Sequence, residues 1–153
     1  MAGNRKNPFP WILLGGGILL ITIWLVGVFQ NQRPRLVATS TPATVEQVQR
    51  VSLQDAKEAF DAGEAVFLDV RDSTSYSLSH IPGALLIPIS DLTTRMGELD
   101  PKSWVIPYCT WTAEESSARA ALILINHGFS NVTPVLGGFN AWIQAGYPLE
   151  SGK

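Results

Sequence analysis

Nineteen consecutive residues, Trp11 to Phe29, carry no charge, and this run decides where such a chain can fold. As a helix it is roughly 28 Å long at about 1.5 Å per residue, which matches a hydrocarbon core of about 30 Å. Arg5 and Lys6 flank one end, Arg33 and Arg35 the other, and Trp11 stands where an interfacial aromatic belongs. No polar stripe runs along the segment, which argues against a buried helix of a soluble core. A cleaved signal peptide would need small residues just past the apolar run, and Gln30-Asn31-Gln32-Arg33-Pro34-Arg35 is a poor substrate. The segment therefore reads as an uncleaved single-pass transmembrane helix over 11–29. A short basic N-terminus (1–10) precedes it and a linker (30–44) follows, rich in Ser, Thr and Pro from Ala38 to Thr44. Each flank carries two basic side chains, a tie by positive-inside counting. The short basic N-terminus argues for a soluble domain facing outward, the periplasm in a Gram-negative cell.

The remainder, 45–153, is long enough for one small core. It holds seven basic and thirteen acidic residues, a net charge of −6. Such a domain repels phosphate backbones, which argues against a nucleic-acid partner. Cys109 is the one cysteine of the chain, so neither an internal disulfide nor a CxxC pair can form. His80 and His127 lie at no metal-ligand spacing from it, and neither a metal nor a cofactor is expected.

Ser52 followed by Asp55 resembles a capping box and opens a helix with Leu53, Ala56 and Phe60 on one face and Gly63 as its stop. Ala65–Val70, Ala84–Ile89, Trp104–Tyr108 and Val132–Leu136 read as short buried strands. Glu115–His127 reads as a helix with apolar Ala118, Ala121, Leu122 and Ile125, and Phe139–Ala145 as a last short one. Strands alternating with helices imply an α/β fold with parallel connections, in which ligands bind beyond the carboxyl ends of strands. The loops after Val70 and Tyr108 are those places. Pro107 and Pro134 sit awkwardly in this scheme, since proline cannot donate to a central ladder.

Asp69-Val70-Arg71, Tyr76 and His80-Ile81-Pro82-Gly83-Ala84 form one signature. Tyr108-Cys109, Ser117-Ala118, Gly128-Phe129, Asn131-Val132, Gly137-Gly138 and Ala141-Trp142 form a second, closed by Gly146-Tyr147-Pro148. In this order and spacing they resemble the rhodanese-like family over about residues 51 to 149. The resemblance implies a five-stranded parallel sheet flanked by helices. It implies that Cys109 opens a loop, Thr110, Trp111, Thr112, Ala113, Glu114, Glu115 and Ser116, whose backbone N–H groups cradle a sulfur atom. It also implies the chemistry: a persulfide formed on Cys109 and passed to a thiol or other thiophilic acceptor, a small molecule or a protein.

The loop departs from the family pattern. The usual form is Cys, four residues, Arg, then Ser-Ala; here Glu114 stands at the Arg position and two further residues, Glu115 and Ser116, precede Ser117-Ala118. The first basic residue after Cys109 is Arg119. A sulfur-transfer cysteine reacts as the thiolate, which a helix N-terminus and successive N–H groups stabilise. Glu114 and Glu115 oppose that if they point inward and suit the helix dipole if they face water; the second arrangement avoids a buried unpaired carboxylate. Trp111 is a lid, a donor-protein contact or a rim aromatic. Asp69 and Arg71 either position the loop or pair with each other, with ion pairing favoured; Ser117 and Arg119 are supporting residues. His80 reads as a packing residue and His127 as a surface one. The leading functional reading is a membrane-anchored sulfurtransferase. A non-catalytic module that binds a partner at the membrane comes second. Phosphatase or arsenate-reductase chemistry comes third, because the oxyanion-clamping Arg is missing.

Overall fold

The structure, a computed structural model, describes residues 41–42, 44–110 and 115–152. The segment 11–29, its flanks and most of the linker lie outside these residues. Among the described residues no helix is long and apolar enough to cross a membrane. The elements in chain order are α1 (Leu53–Ala62), β1 (Ala65–Asp69), α2 (Ser73–Leu78), β2 (Leu85–Leu86), α3 (Leu92–Arg95), β3 (Trp104–Tyr108), α4 (Glu115–Asn126), β4 (Asn131–Val132) and α5 (Gly138–Gln144). All pairings between the four strands are parallel, in the order β2-β1-β3-β4.

Alternation along the strands builds a core on each face. Leu68 and Val105 point one way and pack with Ala120, Ala121 and Leu124 of α4 and with Val48. Phe67 and Ile106 point the other way, against Ala56 and Ala59 of α1 and Phe139 and Trp142 of α5. Trp142 is fully buried and its indole N–H donates to the Pro148 carbonyl at 2.8 Å, so its polar edge is satisfied. Ser52 caps α1 as its spacing from Asp55 implies: its hydroxyl accepts the Asp55 N–H at 3.1 Å and donates to the Asp55 carboxylate at 2.8 Å.

Among the described residues the sheet has four strands where five were expected, and two are shorter than the apolar runs implied. At the fifth position a single parallel bridge, Val51 to Val135, lies beyond β4. The Val51 N–H donates to the Pro134 carbonyl and the Leu136 N–H to the Val51 carbonyl, at 3.0 and 2.9 Å. Pro134 therefore turns its donor-less nitrogen towards Val51, so the ladder cannot extend there. Ser52 begins α1 immediately afterwards. Pro107 resolves in the same way. The Thr133 and Val135 N–H groups donate to the Val105 and Pro107 carbonyls, so these residues of β3 face β4. The N–H missing from Pro107 thus falls on the β4 side, where the regular ladder stops at Val132, and the pairing of β3 with β1 stays whole. Pro88 interrupts the run 84–89, of which only Leu85–Leu86 is strand.

Candidate active site

Strands β1 and β3 end level, with Asp69 paired to Tyr108, so the chain leaves both at one edge of the sheet. Val70 ties the two exits together, its N–H donating to the Tyr108 carbonyl at 3.2 Å. Cys109 is the first residue past β3. It is 6% exposed, so its sulfur is nearly out of water. The Sγ lies 3.6 Å from the Oγ of Ser117, which is itself fully buried in the first turn of α4. α4 spans 12 residues, and Ser117 brings its first turn, whose N–H groups have no intrahelical acceptor, next to Cys109. The Cys109 carbonyl is held from the other side of the sheet by the Phe139 N–H at 2.9 Å.

Asp69 and Arg71 pair, as the sequence favoured. The Asp69 side chain is fully buried and that of Arg71 is 7% exposed. Arg71 Nε donates to Asp69 Oδ1 at 2.9 Å, Nη2 donates to Oδ2 and, at 2.8 Å, to the Ser79 carbonyl. Burial works against the Arg71 charge, but the hydrogen bonds and charge of Asp69 outweigh it and strengthen its hold on the proton. Burial, joined by the nearby Asp69 charge, pushes the Tyr108 hydroxyl far above the ordinary tyrosine value. That hydroxyl accepts the Ile81 N–H at 3.2 Å.

The other residues singled out from sequence divide clearly. Glu115 faces water, 72% exposed, with Arg119 Nη2 at 3.7 Å; Arg119 is 61% exposed and one turn along α4. Thr110 and Ser116 are exposed. Trp111, Thr112, Ala113 and Glu114, the middle of the expected N–H cradle, lie outside the described residues. His80 is buried, stacked on Tyr76 with ring centroids 3.7 Å apart, and its Nδ1 meets the Tyr76 carbonyl at 2.8 Å. Among the described residues no group of three or more His, Cys, Asp or Glu side chains is placed to hold a metal ion. A cavity of about 290 Å³ beside the first turn of α4 is lined by Val45, Glu46, Arg50, Glu115 and Ala118, and Cys109 is not in its wall.

Sequence reasoning passed over Phe139 as a site residue. The available signal was the Gly137-Gly138 pair before it. Both glycines have positive φ, and a Cβ on Gly137 would stand 2.6 Å from the Ala141 Cβ. Only glycine allows the sharp entry that turns the Phe139 N–H onto Cys109.

The family model for the rhodanese-like domain matches residues 52–145. The chain belongs to the rhodanese-like family. Among solved structures, the rhodanese-like domain of an Anabaena sp. protein is 30% identical, with a TM-score of 0.61 over 67% of this chain and 78% of that one. A rhodanese-related protein from Thermoplasma volcanium is 27% identical, with a TM-score of 0.60 over 67% of this chain and 97% of that one. A thiosulfate sulfurtransferase from Pseudomonas aeruginosa is 30% identical, with a TM-score of 0.63 over 71% of this chain but only 21% of that protein. Cys109 lies within the matched stretch, directly past the end of β3.

Proposed function

We propose that this rhodanese-like domain is a sulfurtransferase that carries sulfane sulfur on Cys109, held at a membrane by residues 11–29 and facing the periplasm. The observation that carries the reading is the Cys109 sulfur, placed past the carboxyl end of β3 and 3.6 Å from the Ser117 hydroxyl at the start of α4. The Cys109 thiolate attacks the outer sulfur of a sulfane donor. A Cys109–S bond forms, the donor's S–S bond breaks, and the donor leaves with that electron pair as a thiolate or sulfite. An acceptor thiolate then attacks the bound sulfur, and the electron pair of the Cys109–S bond returns to Cys109. No external oxidant or reductant enters. The neutral Cys109 thiol donates to the Ser117 oxygen; once it is ionised the hydroxyl turns to donate to the sulfur, and with the first turn of α4 it favours the anion at the start and end of the cycle.

The direct test is transfer of sulfur from a persulfide donor to a thiol acceptor by the folded domain, with Cys109→Ser as control. Transfer that disappears in the variant supports the reading. Transfer equal in both contradicts it. The low exposure of Cys109 and the Glu at the Arg position of the loop favour a second reading, a partner-binding module without turnover. The anchor is tested separately by fractionating cells. The full-length chain is expected with the membranes, and a soluble mature form beginning after about residue 35 would instead mark a signal peptide.

A further inference from the structure

Arg71 is a buried cation that the sulfur-transfer steps do not use. Its position restricts what it can do. Asp69 grips it through Nε and Nη2, the Ser79 carbonyl takes Nη2 again, and its own backbone N–H donates to Asp69 Oδ1 at 3.0 Å. With Nε and Nη2 committed and 7% of the side chain exposed, it is poorly placed to clamp an incoming anion in a two-point grip. What it presents instead is a planar face. Its guanidinium carbon lies 4.1 Å from the centroid of the Phe139 ring and 5.6 Å from that of Tyr108. The two rings stack on each other with centroids 5.6 Å apart and planes 24° apart. Phe139 then donates its backbone N–H to the Cys109 carbonyl at 2.9 Å. The chain of contacts therefore runs from Asp69 to Arg71, through the Phe139 ring and backbone, to the nucleophilic residue.

We propose that Arg71 is a positioning residue for Cys109 and acts through Phe139. The fixed guanidinium holds the Phe139 ring against Tyr108. The seated ring keeps the Phe139 N–H on the Cys109 carbonyl, and the carbonyl sets the direction of the Cα–Cβ–Sγ bonds towards Ser117 and α4. Lysine would keep a cation but lose the planar stack and the two-point grip, so the role is specific to arginine. Displacing a reacting atom by an ångström is enough to slow a reaction, which makes reactivity the sensitive readout.

The sulfur-transfer readout rests on the function proposed above; alkylation of Cys109 by iodoacetamide, a neutral electrophile, does not. The experiment is a double-mutant cycle on alkylation rate with R71K, F139L and the pair, each confirmed folded by circular dichroism. Leucine keeps an apolar side chain and the backbone N–H of residue 139 but has no aromatic face. Each single variant is expected to slow alkylation by roughly threefold to tenfold. The double variant is expected to be no slower than the slower single, because contacts in one chain do not add. With a persulfide donor, kcat should fall in parallel while KM holds. A wild-type rate in either single variant, or a double variant slowed by the product of the two, overturns the proposal. Should R71K fail to fold, F139L decides: slowed alkylation with lowered kcat and unchanged KM supports the proposal, and wild-type behaviour overturns it. Wild-type protein that alkylates and shows the coupling, yet takes sulfur from no donor, sinks the sulfurtransferase reading and leaves the positioning role standing.

Discussion

The Cys109 Sγ and the Ser117 Oγ lie 3.6 Å apart, both buried, one at the end of β3 and the other in the first turn of α4. Two parts of one sequence signature, separated by an unusual loop, are thereby brought together. Among the described residues Ser117 is the side chain that accepts from the Cys109 thiol, and in the proposed cycle its hydroxyl turns to donate to the anionic sulfur. Ser117→Ala should slow persulfide formation about tenfold, equivalent to about 1.4 kcal/mol in the barrier. Ser117→Thr should retain most of the rate. The check is the initial rate of sulfur uptake at matched folded concentration. An alanine variant as fast as wild type would remove Ser117 from the chemistry.

Thiosulfate is expected to be a poor donor beside neutral or protein-borne persulfides. Glu115 and Arg119 face water 3.7 Å apart, Arg71 is engaged by Asp69, and the loop carries Glu114 where the family has Arg. Glu114→Arg should raise the rate with thiosulfate about tenfold, or about 1.4 kcal/mol. Steady-state rates with both donor types measure this. Efficient use of thiosulfate by the wild type, or no gain in the variant, would refute the electrostatic account.

The long elements were readable from sequence because their signals are local. β1 and β3 alternate between two core faces, α1 has its Ser52–Asp55 cap, and α4 repeats alanines and leucines at helical spacing. The extent of the sheet was not readable, because it depends on which side of a strand Pro134 and Pro107 turn their nitrogens. α2, Ser-Thr-Ser-Tyr-Ser-Leu, has no apolar stripe and no buried residue; its one sign is Asp72, which accepts the Ser75 N–H at 2.9 Å. At the site, Cys109, Ser117 and the Asp69–Arg71 pair were legible as motif residues. Phe139 was not, since it acts through a backbone N–H on a residue distant in sequence.

Breaking the buried ion pair from its acidic side should be costly. Asp69→Asn would leave the Arg71 charge buried without its carboxylate, at about 3–5 kcal/mol. Urea unfolding should show a lower midpoint with an unchanged slope. A loss under about 1 kcal/mol would mean that Arg71 finds water or another partner.

Tyr108 gives the stability an alkaline limit. The folded chain holds the phenol proton well above the ordinary value because burial and Asp69 disfavour the phenolate, whereas the unfolded chain releases it near pH 10. Its contribution is therefore complete below about pH 10 and declines above it, by up to about 1.36 kcal/mol per pH unit. Burial raises Tyr76 in the same direction, so some slope persists without Tyr108. Tyr108→Phe should flatten most of the decline in denaturant-derived stability above pH 10. It should also cost some stability at neutral pH, because the Ile81 N–H loses its acceptor. A variant with the wild-type alkaline slope would show that Tyr108 ionises in the folded state.

The central claim is that Cys109 carries sulfur, and the mass of the intact folded domain after incubation with a sulfane-sulfur donor tests it most directly. The account predicts a gain of one sulfur atom that a thiol reductant reverses and that Cys109→Ser abolishes. An unmodified mass with thiosulfate, with polysulfide and with a persulfide-bearing protein, from a domain whose Cys109 still alkylates, would contradict it.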